Sequence, residues 1–170
     1  MASTYTPIAT TTLANSTTSD VSFTSISGSY TDLIVVVSGA GTYAATDVLI
    51  QTYVNNDYSG GYSTTWLRGD GSSATSGRQG ATSGAYVGYL PATLAAAGSI
   101  GNLIINYQNY SNSTTYKTIL SRTNAATSKV QASVAMRSNT SAITQINVAT
   151  FGVGYFTSGT TFTLYGIKAA

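Results

Sequence analysis

The sequence predicts an all-β protein, an antiparallel two-sheet sandwich that is jelly-roll-like in its number of strands. Three observations point there. Short runs rich in Val, Ile, Tyr and Thr recur along the whole chain, many with the two-residue alternation of half-buried strands. Clusters of Gly, Ser, Asn and Asp separate the runs and supply the backbone freedom that turns need. Strand patterns do not alternate with helical ones, so a parallel α/β fold is not expected.

The elements follow in order. Tyr5 to Leu13 is a Thr-rich extended segment, and Val21 to Ile26 alternates apolar with small polar residues. After a turn at Gly28-Ser29-Tyr30, Leu33 to Val37 is a continuous β-branched run, the pattern of a central strand covered on both faces. Val48 to Val54 is a further strand, closed by the turn cluster at residues 55–61. Tyr62 to Leu67 predicts a short strand carrying the single tryptophan, Trp66. Residues 68–84 read as a long Gly/Ser/Thr loop; such loops are uncommon inside a compact domain and are often functional. Ala85 to Leu90 predicts a strand. Pro91 to Ala97 is the one stretch that suits a short helical turn, too short to stand without packing. Leu103–Tyr107, Tyr116–Leu120, Val130–Met136, Ile143–Val148 and Thr161–Ile167 complete the pattern. Nine or ten short strands result, and eight core strands in two sheets would make a jelly roll. Residues 1–19 are expected to form an extended N-terminal arm or edge strand, and residues 20–170 a single β-sandwich domain.

The chain has 170 residues, of which 42% are hydrophobic and only 7% charged. An average soluble protein carries roughly 25% charged residues. Ser and Thr number 52, close to a third of the chain. Frequent Tyr and β-branched runs argue against disorder. The sequence holds no Cys, His or Glu, which excludes disulfide scaffolds, zinc fingers and nucleophiles activated by histidine. Its acids are Asp20, Asp32, Asp47, Asp57 and Asp70. They read as turn and strand-start residues, not as the converging pair that carboxylate catalysis requires. No catalytic residue, metal ligand or cofactor site is expected. A formal charge of +2 spread over seven scattered basic residues is not a nucleic-acid footprint. No apolar stretch is long enough for a membrane-spanning helix, and the N-terminus lacks the basic and apolar blocks of a secretory signal. Synthesis in a cytosol is expected.

Arg68-Gly69-Asp70 matches the cell-adhesion tripeptide and sits in the expected loop, but the tripeptide also arises by chance and Gly-rich loops favour it. Asn55-Asn56-Asp57 offers oxygen ligands without the spacing of a calcium loop. The 13 tyrosines outnumber the four phenylalanines. Strand packing accounts for Tyr30, Tyr107 and Tyr165; tyrosines in turns are candidate contact residues, combining apolar area with a polar tip. Tyr58, Tyr62, Trp66, Arg68, Asp70, Arg78 and Tyr110 are therefore expected as exposed loop contacts. Tyr5, Ile8 and Leu13 are expected at an interface made by the N-terminal arm, since an edge strand can pair with a neighbouring subunit.

Several pieces carry a resemblance that spans nearly the whole chain in order: Val21-Ser-Phe-Thr-Ser-Ile26, Tyr30-Thr-Asp-Leu-Ile-Val-Val-Val-Ser38, Val54-Asn-Asn-Asp-Tyr-Ser59, Leu67-Arg-Gly-Asp-Gly-Ser-Ser73, Ile104-Ile-Asn-Tyr-Gln-Asn-Tyr110 and the closing Phe156-Thr-Ser-Gly-Thr-Thr-Phe-Thr-Leu-Tyr-Gly-Ile-Lys168. In these the chain resembles small virion structural proteins of tailed bacteriophages, a group common among cyanophages. The family pattern often places a Trp before the Ala-Ile-Thr-Gln-Ile segment, where this chain has Met136-Arg137. The resemblance implies a structural role on the virion and carries no catalytic residue onto this chain. The expected function is capsid decoration, as a cement protein on the capsid exterior that binds the major capsid protein, with a homotrimer as the expected oligomer. The alternative is a tail-fibre or receptor-binding module contacting host surface glycans. A lysis or depolymerase enzyme would need a convergent carboxylate pair. No nucleic-acid or membrane partner is expected.

Overall fold

The computed structural model describes residues 4–126 and 128–168. Residues 1–3 of the expected arm, and Thr127, Ala169 and Ala170 of the expected domain, lie outside them. Twelve strands make up the fold: β1 (Tyr5–Thr12), β2 (Asp20–Phe23), β3 (Asp32–Gly39), β4 (Asp47–Val54), β5 (Tyr62–Gly69), β6 (Ala74–Thr82), β7 (Ala85–Pro91), β8 (Gly101–Gln108), β9 (Lys117–Asn124), β10 (Val130–Arg137), β11 (Ile146–Thr150) and β12 (Thr161–Ile167). One sheet has eight strands in the order β1-β12-β3-β8-β9-β10-β5-β6, and the other has four in the order β2-β11-β4-β7. The strand pairs are antiparallel. The expected all-β sandwich of two antiparallel sheets is the fold observed.

The core sits where the two sheets overlap. Leu33, Val35 and Val37 of β3, Leu103, Ile105 and Tyr107 of β8, and Phe162 and Leu164 of β12 face Val48, Ile50 and Val54 of β4, with Val148 of β11 and Leu90 of β7. The Leu33–Val37 run is interior to its sheet, as its composition predicts: Ile34 is buried and Val36 half-buried on the opposite face. The buried Tyr107 hydroxyl meets the Thr52 hydroxyl at 2.6 Å, and burial pushes its pKa up. Gly88, at φ +133°, lies where the β4–β7 register slips, and a Cβ there would strike the Thr123 side chain.

The larger sheet has twice as many strands as the smaller. At one edge β1 pairs along its length with β12 of its own chain, so this part of the expected arm is an edge strand of the sandwich. At the other edge stands β6, and the expected 68–84 loop is in fact the β5–β6 hairpin. No residue of β6 is fully buried, so β6 carries none of the apolar alternation by which a strand is recognised. Both edges are blunted against further pairing. Pro7 lacks an N–H and the β1 register slips beside it, while β6 bears Arg78 and a slip near Thr82. The expected helical turn after Pro91 is a run of turns without helix.

Three of the expected contact residues belong to the core instead. Leu13 is buried where the chain leaves β1; its N–H donates to Thr160 O at 3.0 Å. Tyr62 is 1% exposed, and its hydroxyl accepts from Val54 N–H at 3.0 Å. Tyr110 is fully buried; its hydroxyl donates to Ser27 O and accepts from Tyr30 N–H. A tyrosine in a turn is as able to anchor that turn to the core, phenol end bonded to backbone, as to face solvent.

Candidate functional site

The site is built on β10, whose sequence alternates Val130-Gln-Ala-Ser-Val-Ala-Met-Arg137. Its phase is the reverse of an ordinary half-buried strand. Gln131, Ser133, Ala135 and Arg137 point inward and are buried, while Val130, Ala132, Val134 and Met136 point outward. Val130 is 57% exposed, Val134 53% and Met136 42%.

The inward residues explain the reversal, because each long polar side chain is committed inside the sandwich. Arg137 donates from Nε and Nη2 to Asp57 Oδ2, at 3.1 and 2.9 Å. Asp57 also accepts from the Ser59 N–H and hydroxyl; the Ser59 bonds foremost, with Arg137 beside them, hold its carboxyl below the usual range. Gln131 accepts from Arg68 Nε at 2.9 Å and donates to the Ser133 hydroxyl. Arg68 stacks on the rings of Trp66 and Tyr89, 4.2 and 4.7 Å from their centroids. Next to Arg137 on β9, the buried Lys117 ammonium donates to the carbonyls of Asn112, Thr115 and Thr140, at 2.5 to 2.9 Å. Burial, and secondarily Arg137, lowers its pKa. Turning β10 over would break this network, so its apolar residues face solvent.

Cross-strand register extends the outward face. One row runs Ser76, Leu67, Ala132, Arg122, Ile104, Val36 from β6 to β3. The adjacent row runs Arg78, Thr65, Val134, Leu120, Asn106, Ile34. Leu67 is 59% exposed. A depression of about 410 Å³ lies at this face, lined by Leu67, Gly69, Ala74, Arg122, Val130 and Ala132 among others. The result is a broad surface with an apolar centre, charged in these two rows at Arg78 and Arg122, the composition of a protein-interaction patch.

The other expected contact residues do not gather into one site. Trp66 is half-buried between Arg68 and the Gly77 backbone. The Asp70 carboxylate caps the hairpin corner, accepting from the N–H and hydroxyl groups of Ser72 and Ser73, which hold its pKa well below the usual range. Arg68 and Asp70 are thus both engaged within the chain, and the adhesion tripeptide is a hairpin corner. Tyr58 is exposed and stacks on Tyr53 at 4.3 Å. Tyr5 is exposed on β1, and Ile8 packs against the core. Arg78 does lie on the outer face. Among the described residues no group of three or more acids is placed to hold a metal. The residues that sequence reasoning missed are Leu67, Val130, Val134 and Met136; the signal was the β10 alternation itself, which does not say which half is buried.

No family model matches the chain, and no curated protein matches it. Several solved structures resemble it weakly. A galectin from Caenorhabditis elegans is 11% identical and covers 91% of this chain and 94% of its own, with a TM-score of 0.37. An alginate lyase is 13% identical, covering 93% of this chain and 78% of its own at a TM-score of 0.37. Toad ovary galectin in complex with thio-digalactose is 10% identical, covering 86% and 98% at 0.36. These neighbours include galectins and a polysaccharide lyase, and likeness at this level assigns neither activity nor ligand.

Proposed function

We propose that the chain is a non-enzymatic structural protein of a tailed-bacteriophage virion. It decorates the capsid exterior and stabilises the shell of major capsid protein, seated through the outer face of its eight-stranded sheet. The observation that carries the docking role is the reversed phase of β10, which presents Val130, Val134 and Met136 to solvent while arginine and glutamine fill the interior. A chain that keeps such a face gains by covering it, since apolar area removed from water is worth about 25 cal/mol per Å². The low charge supports dense packing beside identical copies, where like charges repel. The virion setting is supported by the resemblance of the ordered sequence pieces, and a trimer at three-fold positions is the assembly it expects.

The test is co-sedimentation of purified protein with undecorated shells of the phage that carries the sequence. Wild type should pellet with the shells in fixed stoichiometry, and Val134→Glu should stay in the supernatant while folding normally. A wild-type protein that does not pellet, or a variant that binds as well as wild type, overturns the reading.

A further inference from the structure

We infer that the outer face of the larger sheet takes a protein surface that is apolar at its centre and acidic around it, and not a second copy of this chain. The inference rests on the reading of this face as a docking face and adds the chemistry of the partner.

Two cations stand on the face beside its apolar centre. Arg122 lies between Ala132 and Ile104 in one cross-strand row, and Arg78 ends the neighbouring row through Thr65 and Val134. They are three strand spacings across and one row along the sheet from each other, about 16 Å. Both are exposed. Among the described residues the ion pairs are Lys129–Asp47 and Arg137–Asp57, so neither Arg78 nor Arg122 has an acidic partner. Two guanidinium groups flanking an apolar stripe call for carboxylates at matching positions on whatever covers it.

A second copy offers no carboxylate that lacks a partner in its own chain. The chain's five acids are all aspartates, and each is engaged within its own chain. Asp20 accepts from Asn147, Asp32 from the Asn109 N–H, and Asp70 from four donors of its own turn. Asp47 and Asp57 hold the two ion pairs. Two aspartates belong to the same sheet: Asp32 starts β3, three strands away from β10, and Asp70 follows β5 at the hairpin corner, where its carboxylate is taken by the four donors of that turn. A two-fold axis pairing Asp32 with Arg122 would move the centre of contact off β10 and leave Arg78 unpaired. Face-to-face self-association therefore sets guanidinium groups against apolar side chains or against each other. Two separated arginines around Leu67, Val134 and Met136 also fail to make the clustered basic surface that nucleic acid requires.

The probe is a random copolymer of glutamate and tyrosine, compared with one of lysine and tyrosine. Binding to the intact chain is read by biolayer interferometry at low and moderate salt. The glutamate copolymer should bind, more weakly as salt rises, and the lysine copolymer should not. Arg78→Gln and Arg122→Gln should each weaken binding about threefold, and the pair about tenfold, the range for partly exposed ion pairs. Val134→Glu should abolish it. Unchanged unfolding midpoints show that each variant is folded. Equal binding of both copolymers, or a double variant that binds like wild type, overturns the inference. So does a dimer in light scattering that Val134→Glu dissolves. Binding to duplex DNA or to phosphatidylglycerol vesicles through the same two arginines also overturns it, in favour of those partners. Arginine-dependent copolymer binding without shell binding would leave this inference standing and remove the decoration reading; shell binding indifferent to both arginines would do the reverse.

Discussion

The phase of β10 can be tested by making one chemical change on opposite faces of the same sheet. Val134 on β10 points outward at 53% exposure, and Val35 on β3 points inward at 0%. Replacing each by Thr keeps the β-branched shape and strand propensity and exchanges a methyl for a hydroxyl. Fully burying a valine side chain is worth about 1.5–3 kcal/mol. Val134 already forgoes half of that, and its threonine hydroxyl reaches water, so Val134→Thr should cost at most about 0.5 kcal/mol. Val35→Thr places the hydroxyl between the sheets, a burial that costs about 1–3 kcal/mol in mutational data, for a total near 2 kcal/mol. In a domain of this size each kcal/mol moves Tm by about 2–4 °C. Thermal unfolding should therefore show a fall of about 1–2 °C for Val134→Thr and about 4–8 °C for Val35→Thr, with urea midpoints in the same order. If Val134→Thr proves as costly as Val35→Thr, the outward assignment is wrong and the docking face disappears with it.

Three further perturbations probe the supports of that face. A Cβ on Gly77 would lie 2.3 Å from Trp66 Cζ2, so Gly77→Ala should displace the indole and cost about 1–3 kcal/mol as overpacking does. With one tryptophan in the chain, a red shift of its fluorescence reports the displacement, and an unchanged spectrum contradicts the packing. Lys117→Met strips the donor from three carbonyls, and at about 1–3 kcal/mol per unsatisfied group should lower stability by at least about 3 kcal/mol in urea titration; a neutral result would mean those carbonyls find water. Asp57 has its folded pKa below the unfolded value, so its contribution is present above the ordinary carboxylate pKa and is lost as pH falls below about 4. Asp57→Asn should be less stable at neutral pH, because Arg137 at 2% side-chain exposure loses its charge partner, and should show a flatter acid limb. A variant with the wild-type acid limb would show that Asp57 is not the titrating group.

The fold class was legible because strand alternation and turn chemistry are local signals, and both recur between Val21 and Ile167 outside residues 68–84. The hairpin strand β6 was not legible. Its residues Ala-Thr-Ser-Gly-Arg-Gln-Gly-Ala-Thr are exposed on both faces, so no burial pattern marks them, and only pairing with β5 makes them a strand. The inward Tyr62 and Tyr110 were hidden for a related reason: a turn position says nothing about where a phenol reaches. The face on β10 was written in the sequence as an alternation, but a period of two fixes two sets of residues without saying which set is buried. That choice was made by partners far along the chain, Asp57 for Arg137 and Arg68 for Gln131. Hydrophobicity alone picks the opposite phase.

The central claim is a shell-wide structural role, and copy number in purified virions tests it most directly. Quantitative mass spectrometry of particles, with the major capsid protein as internal reference, counts the chain per shell. The account predicts hundreds of copies in a fixed ratio to the shell protein. A few dozen copies or fewer would place the chain in a tail, fibre or vertex and contradict it.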